Sequence, residues 1–226
     1  MTGGQDKALV VLSGGQDSTT CLYWAIHRFG RANVSSITID YGQKHRIELG
    51  CARNVAAAAG VTNVCLPIDT FAALGGDALT DTSIPVSDEA DEETELPVTF
   101  VPGRNLIFMT FAAAFAYRHD AQHLVTGVAQ TDYSGYPDCR EETMAALQRA
   151  ITLGMDREFT IHTPLMHRSK KETVELAVRL GALDAMALTH TCYNGRRPPC
   201  GECQACRLRA TGFAEAGVSD PLLDIQ

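Results

Sequence analysis

The sequence lacks long apolar runs and has little positive charge. No stretch approaches the roughly 20 apolar residues of a membrane helix, and no secretory signal pattern opens the chain, so we expect a cytoplasmic protein with no membrane partner. The chain has 19 lysine and arginine residues against 27 aspartate and glutamate residues, a net charge of −8. Because this charge repels a polyanion, we expect a small substrate and no nucleic-acid partner.

The composition is also unlike that of a disordered chain or a disulfide scaffold. Its 226 residues are 45% hydrophobic, which is ordinary for a folded protein with one sizeable α/β core. Half of the eight cysteines crowd into residues 192–206, which favours a metal site over disulfides. Cys21, Cys51 and Cys65 lie in apolar stretches and are predicted to be core residues.

Short apolar runs alternate with helical patterns along the chain. The predicted strands are residues 8–12, 34–39, 64–68, 123–126 and 159–163. The predicted helices run to Phe29, over 47–59, from Arg104 to Tyr117, over 141–152 and 170–180, and from about 205. This alternation predicts an α/β fold with a doubly wound parallel sheet covered on both faces.

Two segments stand apart from this pattern. Residues 75–98 are rich in Gly, Asp, Glu, Thr and Pro and are predicted to form a mobile, solvated insertion. We predict an α/β domain over 1–188 and a C-terminal zinc-binding segment, a small knuckle and a helix, over 189–226.

One predicted helix carries an apolar stripe, which is predicted to face the core. The stripe consists of Phe108, Phe111, Phe115 and Tyr117.

A glycine-rich loop follows the first predicted strand and opens a helix. Its backbone N–H groups converge where an anion would bind, and the helix dipole adds favourable potential. The loop lacks the Gly-Lys-Ser/Thr ending of a Walker A motif, but its Ser-Gly-Gly-x-Asp-Ser pattern resembles the PP-loop ATP pyrophosphatases. The candidate ATP-binding residues are Leu12, Ser13, Gly14, Gly15, Gln16, Asp17, Ser18 and Thr19. Asp17 is predicted to position Mg²⁺.

The cysteines near the C-terminus have the spacing of a metal site. Cys192-x7-Cys200-x2-Cys203-x2-Cys206 offers four thiolates for one closed tetrahedral site, which favours Zn²⁺, with an iron–sulfur cluster as the alternative. Four nearby arginines are predicted to be ordinary solvated surface charge: Arg196, Arg197, Arg207 and Arg209.

Taken together, these motifs resemble the 7-cyano-7-deazaguanine synthase family. The resemblance rests on the segments 13–20, 40–45, 101–105 and 132–140 together with the cysteine knuckle. It implies an adenine nucleotide alpha hydrolase-like fold and a ligase that uses ATP to convert 7-carboxy-7-deazaguanine and ammonia to the 7-cyano compound. An adenylate and an amide are the implied intermediates, in queuosine biosynthesis, and a homodimer is expected.

The resemblance also implies roles for individual residues. Lys170 is expected near the α-phosphate, and Arg104 is expected to bind the substrate carboxylate or a phosphate. Asp40, Tyr41 and Gln43 are expected at the nucleotide. The deazaguanine is expected to contact Asn105, Asp132, Tyr133, Tyr136, Asp138 and Arg140. Alternatives are a polar turn at 40–43, a helix-capping Asn105 and a surface Lys170.

Three other functions are compatible with parts of this pattern. A tRNA-thiolating PP-loop enzyme would use a sulfur-carrying cysteine, for which Cys139 is the candidate, but the acidic charge disfavours it. A zinc-stabilised nucleotide-binding module without turnover would leave the polar loop 127–140 unexplained. A glutamine-hydrolysing ligase would need an amidotransferase segment, which the sequence does not show, so free ammonia is the expected nitrogen source.

Overall fold

A parallel five-stranded sheet forms the centre of the molecule. The computed structural model describes residues 6–68, 70–71, 78–80, 96–130 and 136–223. The strands are β1 (Ala8–Val11), β2 (Val34–Asp40), β3 (Thr62–Pro67), β4 (His123–Val125) and β5 (Thr160–His162), in the order β3-β2-β1-β4-β5. Every neighbouring pair is parallel, so the predicted doubly wound sheet is confirmed.

Six α-helices follow the strands in the described residues. They are α1 (Gln16–Phe29), α2 (Ile47–Ala59), α3 (Arg104–Arg118), α4 (Glu141–Met155), α5 (Lys170–Arg179) and α6 (Gln204–Ala216). Within the described ranges, no helix is both long and apolar enough to cross a membrane.

The sheet has an apolar core on each face because its strands alternate buried side chains between the two sides. On one face Leu9, Ile37 and Leu124 pack with Met109 and the small residues of α3. On the other face Val10 and its neighbours pack against α1, α2 and α5. The strand order reverses between β1 and β4. The crevice at the carboxyl ends of the strands at such a point is the usual ligand site of an open α/β sheet.

Two predictions about the core are wrong. Phe111 and Tyr117 are 43% and 48% exposed. Tyr117 lies nine residues after Phe108, about two and a half helical turns, and therefore faces the opposite side of the helix. Small residues of α3 approach the sheet instead: Ala112, Ala113 and Ala116. Cys65 is exposed, because β3 is an edge strand whose residues are only partly covered.

The described ends of the 75–98 segment lie against the core. Ala78 is fully buried, and its N–H donates to the carbonyl of Val98 (2.9 Å). The N–H of Lys44 donates to the carbonyl of Leu79 (3.0 Å). The predicted mobile insertion lies otherwise outside the described residues, and the division at residue 188 stays a prediction.

Candidate functional site

The loop between β1 and α1, residues 13–18, is here called the PP loop, and its own hydrogen bonds hold its shape. The Ser18 hydroxyl donates to the carbonyl of Gly15 (3.2 Å) and accepts from the N–H of Ser13 (3.2 Å). Gly14 has a φ of +87°, and a Cβ there would lie 2.5 Å from the carbonyl oxygen of Glu48. Only glycine fits so close to the first turn of α2.

The start of α1 carries polar groups without protein partners. The first N–H groups of an α-helix have no intrahelical acceptor, and no side chain caps this helix. Within the described part of the chain, three buried side-chain atoms also lack a hydrogen bond: Nε2 of Gln16, Oδ1 of Asp17 and Oγ1 of Thr19. Because buried polar groups are normally paired and helix N-termini attract anions, this geometry fits a bound phosphate with its cation.

Lys170 reaches the PP loop from a distant part of the chain. Its Nζ lies 2.7 Å from Oδ2 of Asp17, and the Lys170 side chain is only 17% exposed. A capping box between Ser169 and Glu172 fixes the start of α5, and Gly212 of α6 lets Lys170 pack closely, since a Cβ there would lie 2.8 Å from the Lys170 Cβ. Lys170 is therefore not a solvated surface lysine.

A cavity of about 310 Å³ lies at the carboxyl ends of the strands. Its volume falls at the lower end of the range for small-molecule sites. The predicted site residues in its wall are Ser13, Gly15, Gln16, Asp17, Ser18, Tyr41, Gln43, Arg104, Asn105, Tyr136 and Lys170. Cys139, the candidate sulfur carrier of the thiolation alternative, also lies in the wall.

Arg104 stands beside aromatic rings in this cavity. Its guanidinium carbon lies 5.9 Å from the centre of the Tyr41 ring. Burial works to lower the pKa of Arg104, but the net shift is upward because of nearby polar groups. From the largest effect on the pKa to the smallest, those groups are Tyr41, Tyr136, Tyr193 and Asp138. The guanidinium therefore stays charged inside the cavity, where it can bind a carboxylate or a phosphate through paired hydrogen bonds.

Asp138 is buried behind the wall and supports α3. Its Oδ2 accepts a hydrogen bond from the backbone N–H of Asn105 (2.9 Å). The Asn105 amide donates to Sγ of Cys139 (3.3 Å). Since Asn105 is the second residue of α3, it does not cap that helix, and Asp138 satisfies an N–H at the helix start instead. Contact of Asp138 with a purine stays a prediction.

The other predicted site residues that the structure describes lie outside the wall of this cavity. Leu12 and Thr19, which flank the PP loop, are fully buried, and Gly14 within the loop is buried against α2. Asp40 forms an ion pair with Arg46. Arg140 is exposed just before α4. Asp132 and Tyr133 lie outside the described residues, so their predicted contacts with the purine stay predictions.

Sequence reasoning missed several groups of the wall, among them Glu48, Tyr193 and Arg209. For Glu48 a signal existed, since it lies in the first turn of a helix that follows a polar loop at a strand end. Tyr193 and Arg209 come from the C-terminal segment, and no local pattern shows that this segment folds back over the sheet.

Arg209 contradicts the prediction of solvated surface charge. It is 3% exposed, and its Nε and Nη2 donate to the two carboxylate oxygens of Asp220 (2.6 and 2.8 Å). Its Nη1 donates to the hydroxyls of Thr189 (2.7 Å) and Thr191 (3.0 Å). A buried arginine needs such partners. The other three arginines, Arg196, Arg197 and Arg207, are exposed, although Nη2 of Arg197 also donates to the carbonyl of Ala187 (2.9 Å).

The four predicted metal-ligating cysteines come together as a candidate metal site. The sulfur atoms of Cys192, Cys200, Cys203 and Cys206 all lie within 4.8 Å of one another, and those of Cys200 and Cys206 are 3.9 Å apart. Tetrahedral zinc with Zn–S bonds of about 2.3 Å requires sulfur spacings of about 3.8 Å. A hydrogen bond from the N–H of Cys203 lowers the pKa of Cys200, which favours the metal-binding thiolate.

His190 and Gly195 join the cysteine cluster to the cavity. The N–H of His190 donates to the carbonyl of Gly14 (2.9 Å), and its ring Nε2 lies 2.9 Å from the carbonyl oxygen of Cys192. A Cβ on Gly195 would lie 2.2 Å from Nδ1 of His45, so the knuckle packs directly on the loop before α2. The cysteine segment is therefore part of the cavity wall.

Comparison with known proteins gives consistent matches over most of the chain. A profile of the family described as Queuosine biosynthesis protein QueC matches residues 7–217. The 7-cyano-7-deazaguanine synthase of Chromobacterium violaceum is 66% identical over 97% of this chain and 94% of its own length. The enzyme of the same name from Laribacter hongkongensis is 62% identical over 97% of this chain and 95% of its own length.

Similarity to solved structures is lower. A predicted subunit of a tRNA methyltransferase from Methanocaldococcus jannaschii shares 17% identity with a TM-score of 0.49, over 76% of this chain and 74% of that chain. At this level the likeness adds nothing to the assignment.

Proposed function

The chain belongs to the Queuosine biosynthesis protein QueC family, and we propose that it is an ATP-dependent carbon–nitrogen ligase acting on 7-carboxy-7-deazaguanine and ammonia. The product is 7-cyano-7-deazaguanine, formed through an adenylate and an amide. Identity of 66% to a 7-cyano-7-deazaguanine synthase over nearly the whole chain supports this substrate and product.

One geometric observation carries the proposal: the Asp17–Lys170 pair and Arg104 line the same cavity. Adenylation requires a held pyrophosphate, positive charge at the α-phosphorus and a carboxylate placed for attack. The PP loop, Lys170 and Arg104 have the chemistry for these three tasks.

The residues divide the work as follows. N–H groups at the start of α1 bind the pyrophosphate oxygens, and Lys170 stabilises the negative charge that develops at the α-phosphorus. Arg104 holds the carboxylate of the acid, and Tyr136 offers a ring for stacking on the purine. Asp17, whose Oδ1 lacks a partner among the described residues, would hold Mg²⁺. When bound, that ion neutralises charge on the departing pyrophosphate.

The cysteine cluster fits Zn²⁺ in a structural role. Four thiolates with no open position give the closed site that zinc prefers. Cys203→Ser is therefore expected to lower zinc content and melting temperature together, as measured by metal analysis and calorimetry on the same sample. Cys65→Ser, at an exposed cysteine outside the cluster, is the control and should change neither. Loss of zinc with an unchanged melting temperature would contradict the structural role.

Mass spectrometry of the purified protein with Mg-ATP, ammonium and 7-carboxy-7-deazaguanine tests the reaction. We expect the 7-cyano compound, AMP and pyrophosphate. No consumption of the acid, with ATP cleaved only when tRNA is supplied, would instead favour the thiolation alternative. Cys139→Ala separates the two further, since a sulfur carrier cannot lose its thiol, whereas the ligase has no need of one.

Three further features of the proposal stand on the sequence. The acidic net charge of −8 supports action on a free purine acid rather than on RNA. A cytoplasmic location and a homodimer stay predictions. Light scattering at several protein concentrations checks the homodimer.

A further inference from the structure

Tyr193 lies where the cysteine segment meets the cavity. It follows Cys192, one of the candidate metal ligands, in a tight turn that is closed by a hydrogen bond from the N–H of Gly195 to the carbonyl of Cys192 (3.0 Å). Its side chain packs against the cysteine cluster and also lines the cavity. This one residue therefore contacts both the candidate metal site and the candidate substrate site.

The cysteine cluster fixes the backbone of Tyr193. Cys192 is 1% exposed, and its carbonyl oxygen also lies 2.9 Å from ring Nε2 of His190. The backbone N–H of Tyr193 donates a hydrogen bond to Sγ of Cys203. Outer hydrogen bonds of this kind orient the ligands of a metal site. The geometry of the cysteine site therefore sets the position of Tyr193.

The other end of Tyr193 belongs to a chain of three hydroxyl groups. The hydroxyls of Tyr193 and Tyr136 share a hydrogen bond, and the Tyr136 hydroxyl lies 2.6 Å from Oγ1 of Thr99. Thr99 and Tyr136 are 2% and 7% exposed. Because hydrogen bonds between buried groups are stronger than those in water, Thr99 and Tyr193 together hold the Tyr136 ring in one orientation.

This ring lies in the cavity with Arg104. Tyr136 and Tyr193 both line the same wall as Arg104, and both are close enough to favour its charged form. In the proposed reaction Arg104 holds the carboxylate of the acid while Tyr136 stacks on its purine, so the two side chains must keep a fixed separation. Tyr193 connects the C-terminal segment to this pair.

We propose that Tyr193 is a positioning residue that couples the acid subsite to the cysteine site. Its hydroxyl holds Tyr136 in place for the purine acid, and its backbone is held by the cysteine cluster. The inference rests on the proposed function. Tyr193 acts through Tyr136 and takes no part in bond formation. Because coupling between two sites is reciprocal, a closed cysteine site favours binding of the acid, and bound acid favours retention of the metal.

Tyr193→Phe removes the hydroxyl but keeps the ring and the backbone N–H. Loss of one hydrogen bond should raise KM for 7-carboxy-7-deazaguanine about 5-fold. KM for ATP, kcat at saturating substrates and zinc content should stay within about 2-fold of wild type, because the PP loop and the cysteines are untouched. Tyr117→Phe, at a tyrosine that is 48% exposed on α3, is the matched control and should change neither KM.

A double-mutant cycle tests the hydroxyl chain. Tyr136→Phe should raise the same KM, and the variant with both changes should show no further rise, because both changes break the same hydrogen bond. Two losses that multiply would show that Tyr193 does not act through Tyr136, and would overturn the inference.

Competition for zinc with a chromogenic chelator measures the coupling without turnover. The acid, at a concentration well above its KM, should raise the zinc affinity of wild type. At the same acid concentration this rise should be about 5-fold smaller in Tyr193→Phe, since the factor lost in acid binding is the factor lost in zinc binding. Tyr117→Phe should behave as wild type.

An unchanged KM for the acid in Tyr193→Phe, equal rises of both KM values, or an equal gain of zinc affinity in variant and wild type would overturn the inference. Wild-type protein that forms no AMP in the presence of the acid would overturn the proposed function itself, and the inference with it.

Discussion

The two walls of the cavity are held in place by different physical forces. The sheet wall consists of the loops after β1, β2 and β4 together with Lys170, and it rests on fully buried apolar strands such as those of Leu9 and Leu124. The C-terminal wall, residues 189–223, has one helix, and its buried groups include three of the four clustered cysteines and the Arg209–Asp220 pair. Apolar burial stabilises the first wall, whereas in the second wall polar bonds and the proposed metal site add to the apolar packing of Phe213.

The two walls therefore have different roles: the sheet wall carries most side chains proposed to react, and the C-terminal wall holds the cavity closed. The side chains proposed to touch phosphates and acid stand mostly on the sheet wall, where a rigid core fixes their positions. The C-terminal wall encloses the cavity and contacts the PP loop through His190. Changes in the sheet wall should therefore remove activity with little loss of stability, and changes in the C-terminal wall should remove stability first.

The largest expected effect is on activity, from Lys170→Met. Loss of one positive charge at the α-phosphorus should lower kcat by up to about 10³-fold, measured as AMP release, with unchanged zinc content. Lys171→Met is the matched control, because Lys171 is the next residue of α5 and its ion pair with Glu175 is exposed. Equal losses in both variants would show that the charge of Lys170 has no special role.

Arg209→Met should give the next largest effect, on stability. It leaves the buried carboxylate of Asp220 without its partner, which costs about 3 kcal/mol of unfolding free energy, measured by urea denaturation. The variant with both Arg209→Met and Asp220→Leu should recover part of this loss. Lys171→Met is the surface control, since both side chains of its ion pair with Glu175 are exposed, and it should cost less than about 1 kcal/mol.

The sequence predicts the sheet wall well and the C-terminal wall only in part. Strand and helix order follows from local periodicity, and the PP loop is recognisable because its glycines and hydroxyls stand next to each other. The four cysteines are also neighbours in sequence. Arg209 and Tyr193 enter the cavity only because the chain folds back after α5, which is a tertiary event. Glu48 was missed for a different reason: a glutamate in the first turn of a helix is common, and its place in the cavity wall is a tertiary feature.

Gly212→Ala tests the contact where the two walls meet. The added methyl group would lie 2.8 Å from the Lys170 Cβ and 3.1 Å from its carbonyl oxygen, so α5 and α6 must move apart. We expect a loss of about 2 kcal/mol of unfolding free energy and about 10-fold in kcat, since a small displacement of Lys170 weakens catalysis.

The matched control for this contact is Gly154→Ala. Gly154 is an exposed glycine within α4 with open space where a Cβ would stand. Alanine there should stabilise the protein by about 0.5–1 kcal/mol. Stabilisation of both glycine variants, with normal kcat, would mean that the two walls are mechanically independent.

The smallest expected effect is a pH dependence of the free energy of unfolding that comes from two histidines of the sheet. Nε2 of His162 on β5 lies 3.0 Å from Nδ1 of His123 on β4. Burial lowers the pKa of His162 to about 4, with help from the neighbouring His123 and Arg28. His162 therefore binds a proton near pH 6.5 in the unfolded chain but only near pH 4 in the folded protein. Stability from the neutral ring is complete above pH 6.5 and is lost as the pH falls between these values.

His162→Gln keeps a hydrogen-bond donor for His123 but removes this titration. Because the site is only partly shielded from water, the stability lost between pH 7.5 and pH 5 should shrink by about 1 kcal/mol in the variant, measured by urea denaturation at both pH values. His119→Gln, at an exposed histidine, should leave the loss unchanged. An unaltered acid response in His162→Gln would instead place the acid-sensitive groups elsewhere, with the ionisable groups of the C-terminal wall as the next to examine.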